Sequence, residues 1–241
     1  MPFNQAQARK IATRYCENEV AEKGLLVTAF VEVCRVLSEN PDRLSWRGNA
    51  KPDVAAQVGI DRLAEKYFSG YRRSDFPAQP GTVPDRMVSI VMQVAYGHSP
   101  QASEKIKIEH QQSMCAENCV GALLERYLDS VLRQHGWHWC CGEFVKAVDF
   151  IKRNSNGTWI ALQIKNRDNS ENSSSSAIRN GTPIQKWFRS FSKTGETNWD
   201  DVPPEMRNMG LSEDGFITFA KHYLEQERQR QGAKNSPRHA N

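Results

Sequence analysis

Apolar positions recur at helical spacing through the first 135 residues, and beyond that point the period falls to two. Segment 4–22 is polar with a helical repeat, and segment 24–38, GLLVTAFVEVCRVLS, is apolar enough to be buried. Asn40-Pro41 ends that second helix, and 41–52 reads as a loop. Val54, Val58, Leu63, Ala64, Tyr67 and Phe68 predict a helix over 53–69. Pro77, Pro80-Gly81 and Pro84 mark a connection, after which Met87, Ile90, Val91 and Val94 continue as a helix. A polar helix or loop extends to about Ser113. The clearest stripe then runs through Val120, Leu123, Leu124, Tyr127, Leu128, Val131 and Leu132, predicting a helix over 116–134 that Gly136 closes.

Segment 143–152 predicts a strand with Ala147, Asp149 and Ile151 on one face. Asn154-Ser155-Asn156-Gly157 is a turn, and Thr158 to Lys165 is the second strand of a hairpin. That strand carries Ile160, Leu162 and Ile164 on one face and Trp159, Ala161, Gln163 and Lys165 on the other. Segment 166–182, NRDNSENSSSSAIRNGT, is polar. It feeds into the amphipathic stretch 183–188, PIQKWF, which favours a ligand-contacting loop over a flexible linker. Asp200 to Pro204 forms another turn. Ser212 caps a last helix through Phe216, Phe219, Ala220, Tyr223 and Leu224, and the tail from about Arg230 reads as disordered. The organisation expected is a helical region over 1–113, an α+β core over 114–229 and a tail over 230–241.

No apolar run approaches the roughly 20 residues that span a bilayer. MPFNQAQARK lacks an apolar signal core, so the reading is a cytoplasmic protein. Net charge is +4, too mild to identify a polyanion partner by itself. Its distribution is more telling: Phe150 to Lys193 carries +6 and the remainder −2, a local basic stretch of the kind that meets nucleic acid. Cys115-x3-Cys119 with the Cys140-Cys141 pair could suggest zinc, but adjacent strand cysteines point to opposite faces and rarely ligate one ion. Together with Cys16 and Cys34 they read as reduced, small buried hydrophobes.

The hairpin holds the chemistry. Asp149 interrupts an apolar strand, and Gln163 and Lys165 share a face of the next. A charge on a half-buried strand is costly unless it is paired or binds a cation. A buried Asp149–Lys165 ion pair is one explanation, although such pairs often add little net stability. Phosphodiester hydrolysis is the other, because it needs carboxylate oxygens to hold Mg²⁺ and a cation beside the phosphate. Residues two apart on a strand face lie about 6.8 Å apart, a separation suited to a metal ligand and a neighbouring lysine.

Asp149, a turn and Gln163-Ile164-Lys165 resemble the PD-(D/E)XK nuclease core, with Gln163 standing where the family carries its second acid. The helix segment 120–125, VGALLE, is similar to the VG-x-LLE helix of MutH-type nicking nucleases, whose glutamate is a metal ligand. The stretch NSENSSSSAIRNGTPIQKWFR is similar to the SinI/AvaII group of type II restriction endonucleases. These resemblances imply a restriction-endonuclease-like mixed β-sheet core flanked by helices. They imply a homodimer making Mg²⁺-dependent double-strand cuts in DNA at a short palindrome, GGWCC if the SinI likeness holds. The implied catalytic residues are Asp149, Gln163, Lys165 and Glu125, with Asp149, Gln163, Ile164 and Glu125 around the metal. Glu117, nearer the apolar stripe, and Glu171 in the polar loop compete with Glu125. Arg167, Asn169, Asn172, Ser173, Arg179, Lys186 and Arg189 are the DNA-contacting set, Lys186 and Arg189 through phosphates. A cognate methyltransferase would share the DNA site without needing to bind the enzyme. Two rival readings are a MutH-like nicking or repair nuclease and an inactive DNA-binding module on the same fold, with Gln163 as the sign of decay. A third is a helical interaction protein with a structural hairpin.

Overall fold

The computed structural model describes residues 2–17, 22–48, 50–77, 80–169 and 182–235. Helices α1 (Gln5–Tyr15), α2 (Lys23–Glu39), α3 (Gln57–Arg72), α4 (Arg86–Tyr96) and α5 (Pro100–Leu132) precede strands β1 (Trp137–Trp139), β2 (Phe150–Arg153), β3 (Trp159–Arg167) and β4 (Ile184–Ser190), and α6 (Glu213–Asn235) follows. The class is α+β, with a four-stranded sheet in the order β1-β2-β3-β4. β1, β2 and β3 are antiparallel neighbours, whereas β4 runs parallel to β3. No helix among the described residues is long and apolar enough to cross a membrane.

The chain forms two compact units, Met1–Arg73 with Glu125–Phe219, and Ser74–Leu124 with Ala220–Asn241. The boundary expected at 113/114 falls inside α5, which is continuous where the sequence suggested a separate polar segment before residue 116. The first unit contains the sheet and α1, α2 and α3. Phe30, Tyr67 and Phe68 pack there in edge-to-face and tilted pairs, with ring centroids 5.1 to 5.7 Å apart. A second aromatic cluster joins Trp187 of β4 to Trp199, Tyr127 and Phe216. In the second unit, Ser74 Oγ donates to Glu227 at 2.6 Å, the Asp75 N–H donates to the Tyr223 hydroxyl at 3.1 Å, and the Cys119 thiol donates to the Asp75 carbonyl at 2.8 Å.

Three departures from the sequence pattern matter for the site. The strand expected over 143–152 is short, because Gly142, Glu143 and Ala147 adopt positive φ and break the alternation. Residues 43–45 instead pair with 144–146. Leu44 bridges Val145, the Ser45 N–H donates to the Phe144 carbonyl, and the Lys146 N–H donates to the Arg43 carbonyl, both at 2.8 Å. Ala147 therefore does not share a strand face with Asp149 and Ile151. Trp137-His138-Trp139 adds an unforeseen strand, too short to show a period of two. The amphipathic stretch after the polar loop is strand β4, whose parallel partner lies more than a dozen residues earlier in the chain. Of the tail expected over 230–241, residues 230–235 continue α6, and 236–241 lie outside the described residues.

Candidate active site

Asp149 stands immediately before β2, where the chain leaves the turn at 146–148. Its N–H donates to the Leu162 carbonyl at 2.8 Å, and its Oδ2 accepts the Ile164 N–H at 2.6 Å. Asp149 therefore grips the two residues that flank Gln163, and the hairpin turn at 154–158 holds this register. Its own carbonyl accepts the Cys140 N–H at 2.8 Å, which ties it to the end of β1. β3 is buried without a break from Ile160 to Ile164, so Gln163 is 3% exposed although it is polar. Lys165 follows, half-buried, and its charge is felt at Asp149.

Burial lifts the Asp149 carboxyl to about 6. The Ile164 N–H and the Lys165 ammonium both work against that rise. An acid held this high by loss of solvent lacks enough compensating positive charge, and a cation brought beside it would restore the balance.

Glu125 lies on α5, in the same unit as the hairpin. Its Oε2 accepts the Trp139 indole N–H at 2.9 Å, and the Arg126 guanidinium sits 5.3 Å from the centre of the Trp139 ring. Cys140 is the next residue. Burial, and then the charges of Asp149, Cys141 and Glu125, push its thiol well above the usual range, while Arg43 opposes them. Helix and hairpin thus bring two carboxylates to bear on one buried side chain. Glu117 is exposed on α5 and lies outside the buried stripe that sequence spacing suggested for it. The cause is that Cys119, Leu123 and Leu124 take the inner positions over this stretch.

Among the expected DNA-contacting residues, Arg167 ends β3, Asn169 is exposed just beyond it, and Lys186 pairs with Gln163 across the β3–β4 ladder. Arg189 is placed differently. Its guanidinium donates to Glu213 at 2.5 Å and to Asn166 at 2.9 Å, and it stacks on Phe216 at 5.3 Å. Those contacts tie β4 to the start of α6. Glu171, Asn172, Ser173 and Arg179 lie outside the described residues. Sequence reading missed Arg43, and it missed the groove of about 590 Å³ lined by Lys66, Arg72, Arg73, Gly142 and Glu143. These cations are scattered over two stretches of chain and share no motif.

The SinI restriction endonuclease family model matches residues 8–226. Type II restriction enzyme Eco47I of Escherichia coli is 45% identical over 202 residues, covering 83% of this chain and 87% of that enzyme. Type II restriction enzyme SinI of Salmonella infantis is 42% identical over 226 residues, covering 92% of this chain and 96% of that enzyme.

Proposed function

Because the chain belongs to the SinI restriction endonuclease family and is a type II site-specific deoxyribonuclease, we propose that its active site is the Asp149–Gln163–Lys165 hairpin completed by Glu125. The observation that carries this reading is the double grip of Asp149 on the residues either side of Gln163. The element order α5, β1, β2, β3, with β4 parallel to β3, supports a PD-(D/E)XK-type core around it.

The chemistry of the donors suits Mg²⁺, although among the described residues no three acidic, His or Cys side chains gather as a preformed site. Asp149 and Glu125 offer carboxylate oxygens and Gln163 an amide oxygen, all hard ligands. Ile164, whose side chain is buried, has only its main chain to offer. Bound there, Mg²⁺ would polarise the scissile phosphate and lower the pKa of a coordinated water. The protein's own part is positional. Asp149 is held by its hydrogen bonds to Leu162 and Ile164, Gln163 is fixed by burial, and Lys165 presents a cation to the developing phosphate charge. A glutamine in place of the second acid removes one negative charge, and Glu125 returns it.

The substrate is double-stranded DNA, cut at a short palindrome by two copies of the chain, each serving one strand. GGWCC is the site that likeness to SinI suggests. Arg167, Asn169 and Lys186 flank the catalytic residues and supply contacts to DNA. Incubating the purified protein with phage DNA, with Mg²⁺ or with EDTA, tests the reading. Discrete fragments that appear only with Mg²⁺ and vanish in Asp149→Ala are expected. Nicked circles would favour a nicking nuclease, and intact DNA with retained binding would favour an inactive module.

A further inference from the structure

The groove of about 590 Å³ between the end of α3 and Gly142-Glu143 continues into a second hollow of about 260 Å³. The second adds Ser45, Trp46 and Arg47, and the two share Lys66 and Glu143. All these residues belong to one compact unit. Together they make a trough with four cations, Arg47, Lys66, Arg72 and Arg73, and one acid, Glu143. Its walls are in fixed contact, because Gly142, at φ of 96°, packs so near α3 that a Cβ there would meet the Lys66 carbonyl oxygen at 2.7 Å.

The fold already uses some of the cations. Arg73 pairs with Glu143 at 2.9 Å, and Arg72 donates to the Tyr15 carbonyl. Nearby, Arg62 stacks on the Trp46 ring at 5.0 Å and donates to the Ala50 carbonyl at 3.1 Å. Arg47 and Lys66 are exposed, and neither side chain has an ion pair or hydrogen bond among the described residues. Two unspent cations in a long surface trough suit an extended polyanion. Both carboxylates of the proposed metal site are tied to this trough through neighbouring residues. Arg126, next to Glu125, donates to the carbonyls of Tyr71 and Arg73 at the end of α3. The Asp149 carbonyl accepts the Cys140 N–H at 2.8 Å, and Gly142 follows two peptide steps later, within about 8 Å. Phosphates succeed one another about every 3.4 Å along the axis of one DNA strand. A strand cut beside Asp149 therefore has phosphates a few nucleotides away within reach of the trough.

We propose that this trough clamps the DNA backbone a few nucleotides from the scissile bond, with Arg47 and Lys66 as its phosphate contacts. The clamp deepens the reading of the Asp149 hairpin as a nuclease site and rests on it. Phosphate contacts hold the duplex in place without reading its sequence, so Arg47 and Lys66 are positioning residues.

Affinity for a GGWCC duplex and for an unrelated duplex, measured in EDTA across a salt series, tests the clamp. Arg47→Ala/Lys66→Ala should weaken both at least tenfold and flatten the salt slope by about two, since each phosphate contact contributes roughly 0.9. Arg47→Lys/Lys66→Arg should restore the slope. Glu143→Gln, which releases Arg73 to the trough, should tighten binding about threefold. Methylphosphonates placed singly along the duplex should weaken wild type, and not the alanine pair, at one or two phosphates within about four nucleotides of the cut. Should the alanine pair fail to fold, Arg47→Gln/Lys66→Gln replaces it. An unchanged slope in a folded variant, an equal loss from Arg9→Ala/Lys10→Ala on α1, or weaker binding by Glu143→Gln would overturn the clamp. Cleavage of phage DNA by the wild type is scored separately. Cutting with an unchanged slope sinks the clamp and leaves the nuclease standing, and a flattened slope without cutting does the reverse.

Discussion

Burial lifts the Asp149 carboxyl to about 6, so between about pH 4 and 6 the folded chain binds a proton there that the unfolded chain has released. Stability therefore falls as pH rises through this window. Without metal, Asp149→Asn should be more stable than wild type above pH 6 by roughly 3 kcal/mol, since each pK unit is worth about 1.4 kcal/mol. The difference should close below pH 4, as denaturant melts in EDTA would reveal. The same variant should cut no DNA. Lys165→Ala should keep under a tenth of the wild-type rate while binding DNA normally, as single-turnover cleavage and a binding assay would record. For Gln163, the glutamate variant should stay active and the alanine variant should be impaired. A fully active Gln163→Ala would remove that amide from the metal set.

Two elements meet at the end of β1: α5, where Glu125 accepts the Trp139 indole N–H, and the hairpin, where the Asp149 carbonyl accepts the Cys140 N–H. Titrating Mg²⁺ separates the helix glutamates. Glu125→Gln should raise the concentration for half-maximal cleavage at least tenfold, and Glu117→Gln should leave it unchanged. A shift confined to Glu117 would sink this alignment of α5. The loop between β1 and Asp149 is held against α3 by a close backbone approach. A methyl group on Gly70 would lie 2.6 Å from the Gly142 nitrogen and 2.7 Å from its Cα. Neither atom can step aside as a flexible side chain would. Gly70→Ala should cost about 1–3 kcal/mol in thermal or denaturant unfolding, the range for overpacking.

For the whole molecule, the proposed function divides the basic residues into those expected to meet DNA and those that hold the fold. Lys186 lies beside Gln163 in the β3–β4 ladder, so Lys186→Ala should weaken binding to cognate and unrelated DNA alike and reduce the salt slope by about one. Arg189→Ala should leave that slope in place and lower stability by roughly 2 kcal/mol, because Glu213 loses a charged hydrogen-bond partner. Binding across a salt series and a thermal melt on both variants would tell the two roles apart.

The sequence by itself determined the helical first half, the hairpin turn and the spacing of Asp149, Gln163 and Lys165, because periodicity and turn chemistry are local. It also singled out VGALLE, where the residues of one helix turn sit side by side in the chain. What it left open depended on partners far away in sequence. Residues 144–146 leave the strand because 43–45 pair with them, and β4 exists because β3 offers it a parallel edge. Arg189 and Lys186 look alike as basic residues of one amphipathic stretch. Only the fold set one against Glu213 and the other beside Gln163. The preference for Glu125 over Glu117 was already in the VGALLE motif, and what the fold added is the Trp139 indole N–H that Glu125 accepts.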